Sequence, residues 1–141
     1  MNVEVNYLAV LLAAVSSMII GSVWYSMGIF GKTWAKLAKV DMKREMKSNE
    51  MTVLLGSTFI ISLITAYVLA HVTFLSNSFF GNSFLQDALS TGFWLWLGLT
   101  AVRFATHDMF EGRPRQLTFL NIGNEFATIM LMALVIGLLG V

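Results

Sequence analysis

The chain predicts an all-α membrane protein: a four-transmembrane-helix bundle with both termini outside and a cytoplasmic interfacial amphipathic helix between the first two spans. Three observations carry this. Hydrophobic residues fill 57% of the 141 positions and charged residues 12%, where soluble domains carry roughly 25% charged residues. Four long apolar runs, none alternating with period two, are separated by short polar stretches. Every Lys and Arg falls in or beside just two of the junctions between them.

A helix needs roughly 20 mainly apolar residues to cross a hydrocarbon layer of about 30 Å. The runs at residues 5–30, 51–74, 84–106 and 116–140 meet that length and form one integral domain over 1–141. Runs this long without alternation exclude barrel strands and leave helices as the spanning element. The opening "MNVEVNY" is acidic rather than basic, so the first run is expected to be a retained helix and not a cleaved signal.

Local signals set the boundaries. "SFLQ" from Ser83 to Gln86 has capping-box spacing, with Asp87 adding favourable charge in the first turn of the third helix. The sole proline, Pro114, fits the first position of the fourth helix, and Gly112 supplies the turn before it.

Charge by side fixes the expected topology. Lys32, Lys36, Lys39, Lys43, Arg44 and Lys47 lie in or beside the loop 31–50, and Arg103, Arg113 and Arg115 in or beside 107–115, whereas the loop 75–83 and both termini carry no Lys or Arg. The positive-inside rule then places the basic loops in the cytoplasm and both termini outside the plasma (inner) membrane. Trp24, Tyr25, Phe30 and Trp34 gather where charge begins and form the expected inner aromatic belt, with Trp24, Tyr25 and Trp34 as interfacial anchors. At 100° per residue, Trp34, Ala35, Ala38, Met42 and Met46 share one side of the first loop. Lys36, Lys39, Lys43 and Lys47 share the other, a pattern that suits an interfacial helix on anionic lipid.

Small residues predict where helices meet, because lipid offers no hydrophobic drive and close backbone approach must supply the contact. Ala9, Ala13, Ser17 and Gly21 recur at four-residue steps and end at Tyr25; Thr58, Ser62, Ala66 and Ala70 repeat the step on the second run. Ala101 and Ala105, Gly123 and Ala127, and Ala133 and Gly137 extend the pattern.

An ionisable group inside hydrocarbon is costly and therefore a functional candidate. Glu125 lies about 16 Å along its helix from Pro114 at a rise of ~1.5 Å per residue, and Asn121, Asn124 and Thr128 share its face. Arg103 is its expected partner. Two readings follow: a polar clamp between the third and fourth helices, or a proton- or cation-binding carboxylate in a pocket. His107 and Asp108, next to Arg103, are read as a polar cap with a secondary potential for proton transfer. His71 is an expected interfacial residue, and Trp94 and Trp96 point to different sides of their helix. The chain has no Cys and no His-containing ligand cluster, and no catalytic, phosphate-binding or dinucleotide-binding motif. No cofactor, metal or catalytic residue is expected, and no nucleic-acid binding, because the basic residues do not make a folded basic face.

"NYLAVLLAAVSSMIIGSVWYSMGIFGKTWAKL" and "FEGRPRQLTFLNIGNEFATIMLMALVIGLLG" together resemble the domain-of-unknown-function family numbered 1761, small bacterial integral membrane proteins. Gly21, Trp24, Tyr25, Ser26, Phe30, Gly31, Lys32 and Trp34 are the most specific part of the likeness. The family typically has Pro after Trp-Tyr-Ser, where this chain has Met27. The resemblance implies a membrane protein and no catalytic residues. The expected role is a non-enzymatic module that binds a lipophilic small molecule or a membrane partner. The alternative is a proton- or cation-coupled transporter or channel using Glu125, built as a homo-oligomer; the strong charge bias favours parallel subunits.

Overall fold

The computed structural model of the protein describes residues 3–41, 44 and 46–140, and every regular element among them is helical. The order is α1 (Tyr7–Trp24), α2 (Gly31–Ala38), α3 (Ser48–Phe80), α4 (Phe84–Leu95), a π-helical segment (Trp96–Ala101), α5 (Val102–Phe110) and α6 (Arg115–Leu139). Three of these helices, α1, α3 and α6, are long and apolar enough to cross a membrane. Large side chains such as Val53, Ile61, Ile64 and Leu138 stand exposed on them, which is compatible with a membrane protein.

Each helix begins or ends for a local reason. Asn6 caps α1 by accepting from the amides of Leu8 and Ala9, both at 3.1 Å. The helix stops at Trp24 and not at the expected residue 30, because the backbone turns: the Phe30 amide donates to the Trp24 carbonyl at 3.1 Å and the Gly31 amide to the Ser26 carbonyl at 2.9 Å. A Cβ on Gly31 would collide with the Tyr25 carbonyl oxygen and sit 2.8 Å from that of Ser26. Only glycine permits this turn.

The helix expected in the first basic loop is shorter than the periodicity predicts. Helix α2 buries Ala35 and exposes Lys32 and Lys36, but Lys39 adopts a left-handed conformation (φ 55°) that ends it. Met46 and Lys47 lie outside any helix, and Met42 and Lys43 lie outside the described residues. The loop expected over 75–83 is mostly helix. Helix α3 runs on to Phe80, nine residues beyond His71, before Gly81 (φ 67°) terminates it. Ser83 caps α4 by accepting from the Gln86 amide at 3.3 Å. Helix α5 continues to Phe110 instead of 106, and Pro114 is the residue just before α6 rather than its first.

Helices α1 and α3 pack antiparallel along the two predicted stripes. Ala9, Ala13, Ala66 and Ala70 are buried, and the Ser17 and Ser62 hydroxyls meet at 2.9 Å. The core joins Val10 and Ala13 of α1, Ala66 and Leu69 of α3, and Ile129, Met132 and Ile136 of α6. Helix α4 approaches α6 so closely that a Cβ on Gly92 would lie 2.9 Å from the Ala133 methyl, and one on Gly137 would lie 2.8 Å from the Leu85 backbone. The π-helical segment follows this contact, with the Val102 amide reaching back to the Leu97 carbonyl. Its wider turn starts at Trp96, whose indole N–H donates to the Ile122 carbonyl of α6 at 3.2 Å and whose ring meets Phe126 edge-on at 4.7 Å. Trp94 points the other way and is exposed.

Candidate functional site

The small-residue seam between α1 and α3 is closed at one end and open at the other. From Ala9 to Ser17 the helices touch. Past the Ser17–Ser62 contact they diverge, so that a Cβ on Gly21 would meet nothing within 4 Å and Thr58 is exposed. Helix α6 lies across the opening, and the three helices enclose a cleft of about 500 Å³. Ser17, Gly21, Ser22 and Tyr25 line it from α1 and the turn after it. Thr58, Ser62 and Thr65 line it from α3, and Asn124, Glu125 and Thr128 from α6, with Leu54, Leu55, Ile61, Ile129 and Met132 filling the walls.

The four residues predicted to share a face of α6 are used differently. Asn121 accepts from the Tyr25 hydroxyl at 3.1 Å and so ties the motif turn to α6. Asn124 is buried, and its Oδ1 has no hydrogen-bond partner. Glu125 and Thr128 are half-buried in the cleft wall. Glu125 and Tyr25 line the same cleft. Trp34 closes this corner by packing edge-on against Tyr25 at 5.3 Å, while Trp24 packs at a tilt against Phe30 at 4.7 Å and covers Gly123.

The expected pair between Glu125 and Arg103 is not formed. Glu125 faces α1 and α3, whereas Arg103 is exposed and lines a separate cavity of about 410 Å³ with His107, Asp108, Glu111 and Arg113. The cause is Trp96, which occupies the α6 face at Ile122 and Phe126. Successive residues turn by ~100° about a helix axis, so Glu125 is directed away from α4 and α5. Among the described residues Glu125 makes no ion pair.

The clamp anticipated at Glu125 exists elsewhere, on residues that the sequence did not single out for it. Asp108 is 4% exposed, accepts from the Thr118 hydroxyl at 2.7 Å and lies 3.7 Å from Arg113, which also pairs with Glu111 at 2.6 Å. It joins α5 to α6 and makes the expected polar cap, with His107 exposed beside it. Asp87 is 2% exposed and accepts from the side-chain amides of Asn77 at 2.8 Å and Asn82 at 2.9 Å, closing α3 onto α4. Two Asn residues within ten positions of an Asp across a Gly turn were the available signal. Among the described residues no group of three or more His, Asp or Glu side chains is placed to hold a metal ion.

The family described as protein of unknown function (DUF1761) matches residues 8–137, and the chain belongs to it. No curated protein and no solved structure matches the chain.

Proposed function

We propose that the protein is a non-enzymatic membrane module that takes a lipophilic small molecule into the cleft between α1, α3 and α6. The cleft itself carries the reading. Its volume of about 500 Å³ falls within the roughly 300–1,000 Å³ of small-molecule sites, and a mostly hydrocarbon wall with a few converging polar groups is their usual lining. Binding of pyrenemethanol, a neutral lipophilic fluorophore, to the protein in nanodiscs tests it. Gly21→Phe should fill the cleft without a clash at its Cβ and abolish binding in a protein that still folds. Unchanged binding in that variant would remove the cleft as the site.

In this proposal α4, the π-helical segment and α5 act together as a fourth span, with both termini outside the plasma membrane. The confinement of all Lys and Arg to residues 32–47 and 103–115 supports it. Because the chain has no Cys, single cysteines at Lys39, Asn82 and Arg113 can be labelled cleanly. Positions 39 and 113 should react from the cytoplasmic side and 82 from the other. The exposed Lys36 and Lys39, with Lys47, are a proposed contact for anionic lipid.

A second reading is favoured by the missing ion pair at Glu125: a homo-oligomeric proton- or cation-coupled transporter in which this carboxylate loads and unloads. Proton-driven uptake of a probe into proteoliposomes, lost in Glu125→Gln, would select it over simple binding.

A further inference from the structure

We infer that the ligand of the cleft is a lipophilic ammonium ion bearing N–H donors, an assignment that rests on the reading of the cleft as a small-molecule site. Several of the polar groups facing it are placed to accept. The hydroxyl protons of Ser22, Thr58 and Thr65 are already donated to the carbonyls of Met18 at 2.8 Å, Leu54 at 2.8 Å and Ile61 at 3.0 Å. That of Tyr25 goes to Asn121 at 3.1 Å. What these hydroxyls still offer is lone pairs.

Two stronger acceptors stand beside them. Asn124 is only 8% exposed and its buried Oδ1 has no hydrogen-bond partner, a state that a donor would relieve. Glu125, next in sequence, presents a carboxylate with no ion pair among the described residues. Among the described residues no Lys, Arg or His lines the cleft, so its formal charge with Glu125 ionised is negative. A neutral hydrocarbon would satisfy the walls and leave the acceptors empty. An anion would meet the carboxylate. A primary or secondary ammonium group supplies both the missing charge and the missing donors, and its apolar body fits against Leu54, Ile61 and Met132.

The test compares three probes of one shape in neutral phosphatidylcholine nanodiscs, with empty discs as background: aminomethylpyrene, its trimethylammonium analogue and pyrenemethanol. The amine should bind about tenfold or more tighter than the alcohol, the equivalent of ~1.4 kcal/mol, with the trimethyl analogue in between. Glu125→Gln should erase the amine's advantage over the alcohol. Equal affinity of amine and alcohol for the unmodified protein would overturn the ammonium assignment while the cleft remains a lipophilic site. Equal affinity of amine and trimethyl analogue would overturn the requirement for N–H donors. An advantage that survives Glu125→Gln would overturn the carboxylate's role, and binding of none of the three would overturn the small-molecule reading together with this one.

Discussion

Asp87 and Glu125 are both carboxylates on apolar helices, and the structure treats them in opposite ways. Asp87 is sealed at 2% exposure and holds two asparagine amides across the turn from α3 to α4. Glu125 stands half-buried in a cleft that Tyr25 also lines, with no ion pair among the described residues. Burial is costly for a charge unless fixed donors replace the lost water. Where the chain supplies those donors the carboxylate is part of the scaffold; where it supplies only a cavity, the donor has to come from outside. The contrast separates the closed end of the bundle from the end where binding chemistry is concentrated.

The largest effect should come from breaking the sealed site. Asp87→Ala strands the amides of Asn77 and Asn82, each having lost a charge-assisted bond, and should cost about 3 kcal/mol, read as a lowered midpoint in detergent unfolding followed by tryptophan fluorescence. Next comes the close packing of that same end. Gly137→Leu drives a side chain into the Leu85 backbone, and overpacking of this kind costs about 1–3 kcal/mol; native-state hydrogen exchange should show α4 and α6 opening more often. Ser17→Ala removes the hydrogen bond to Ser62 at the boundary between closed seam and open cleft, and the midpoint should fall by about 0.6 kcal/mol, an average size for polar contacts between membrane helices. Smallest of all is Glu125→Gln, whose unfolding free energy should stay within about 0.5 kcal/mol of the parent. A loss as large as that of Asp87→Ala would abolish the distinction between the two carboxylates.

Much of the scaffold was legible because its signals are local. Runs of apolar residues, a Ser83 cap, a Gly112 turn and two stripes of small residues each act within a few positions, and the stripes at Ala13–Ser17 and Ser62–Ala66 do meet. Boundaries drifted where one residue overrode the period. Lys39 ended α2 by its backbone conformation, and a turn that Gly31 permits interrupted what looked like a continuous span. Of Asn121, Asn124, Glu125 and Thr128, grouped on one face by spacing, the last three line the cleft while Asn121 bonds Tyr25, and the direction of that face was not legible. Arg103 was matched to Glu125 by depth alone, and depth does not say which way a helix is rotated.

By itself the sequence determined the helical class, the approximate extent of the apolar segments and the family, since burial of backbone polar groups and hydrophobic length depend on residues near one another in the chain. Only the tertiary structure decided which carboxylate is sealed and which faces a cavity. That choice depends on the rotation of α6, and the rotation is set by bulky contacts distant in sequence, Trp96 against Ile122 and Phe126 and Gly137 against Leu85. The rotation of one helix about its axis separates a buried clamp from an open site, and no local pattern encodes that angle.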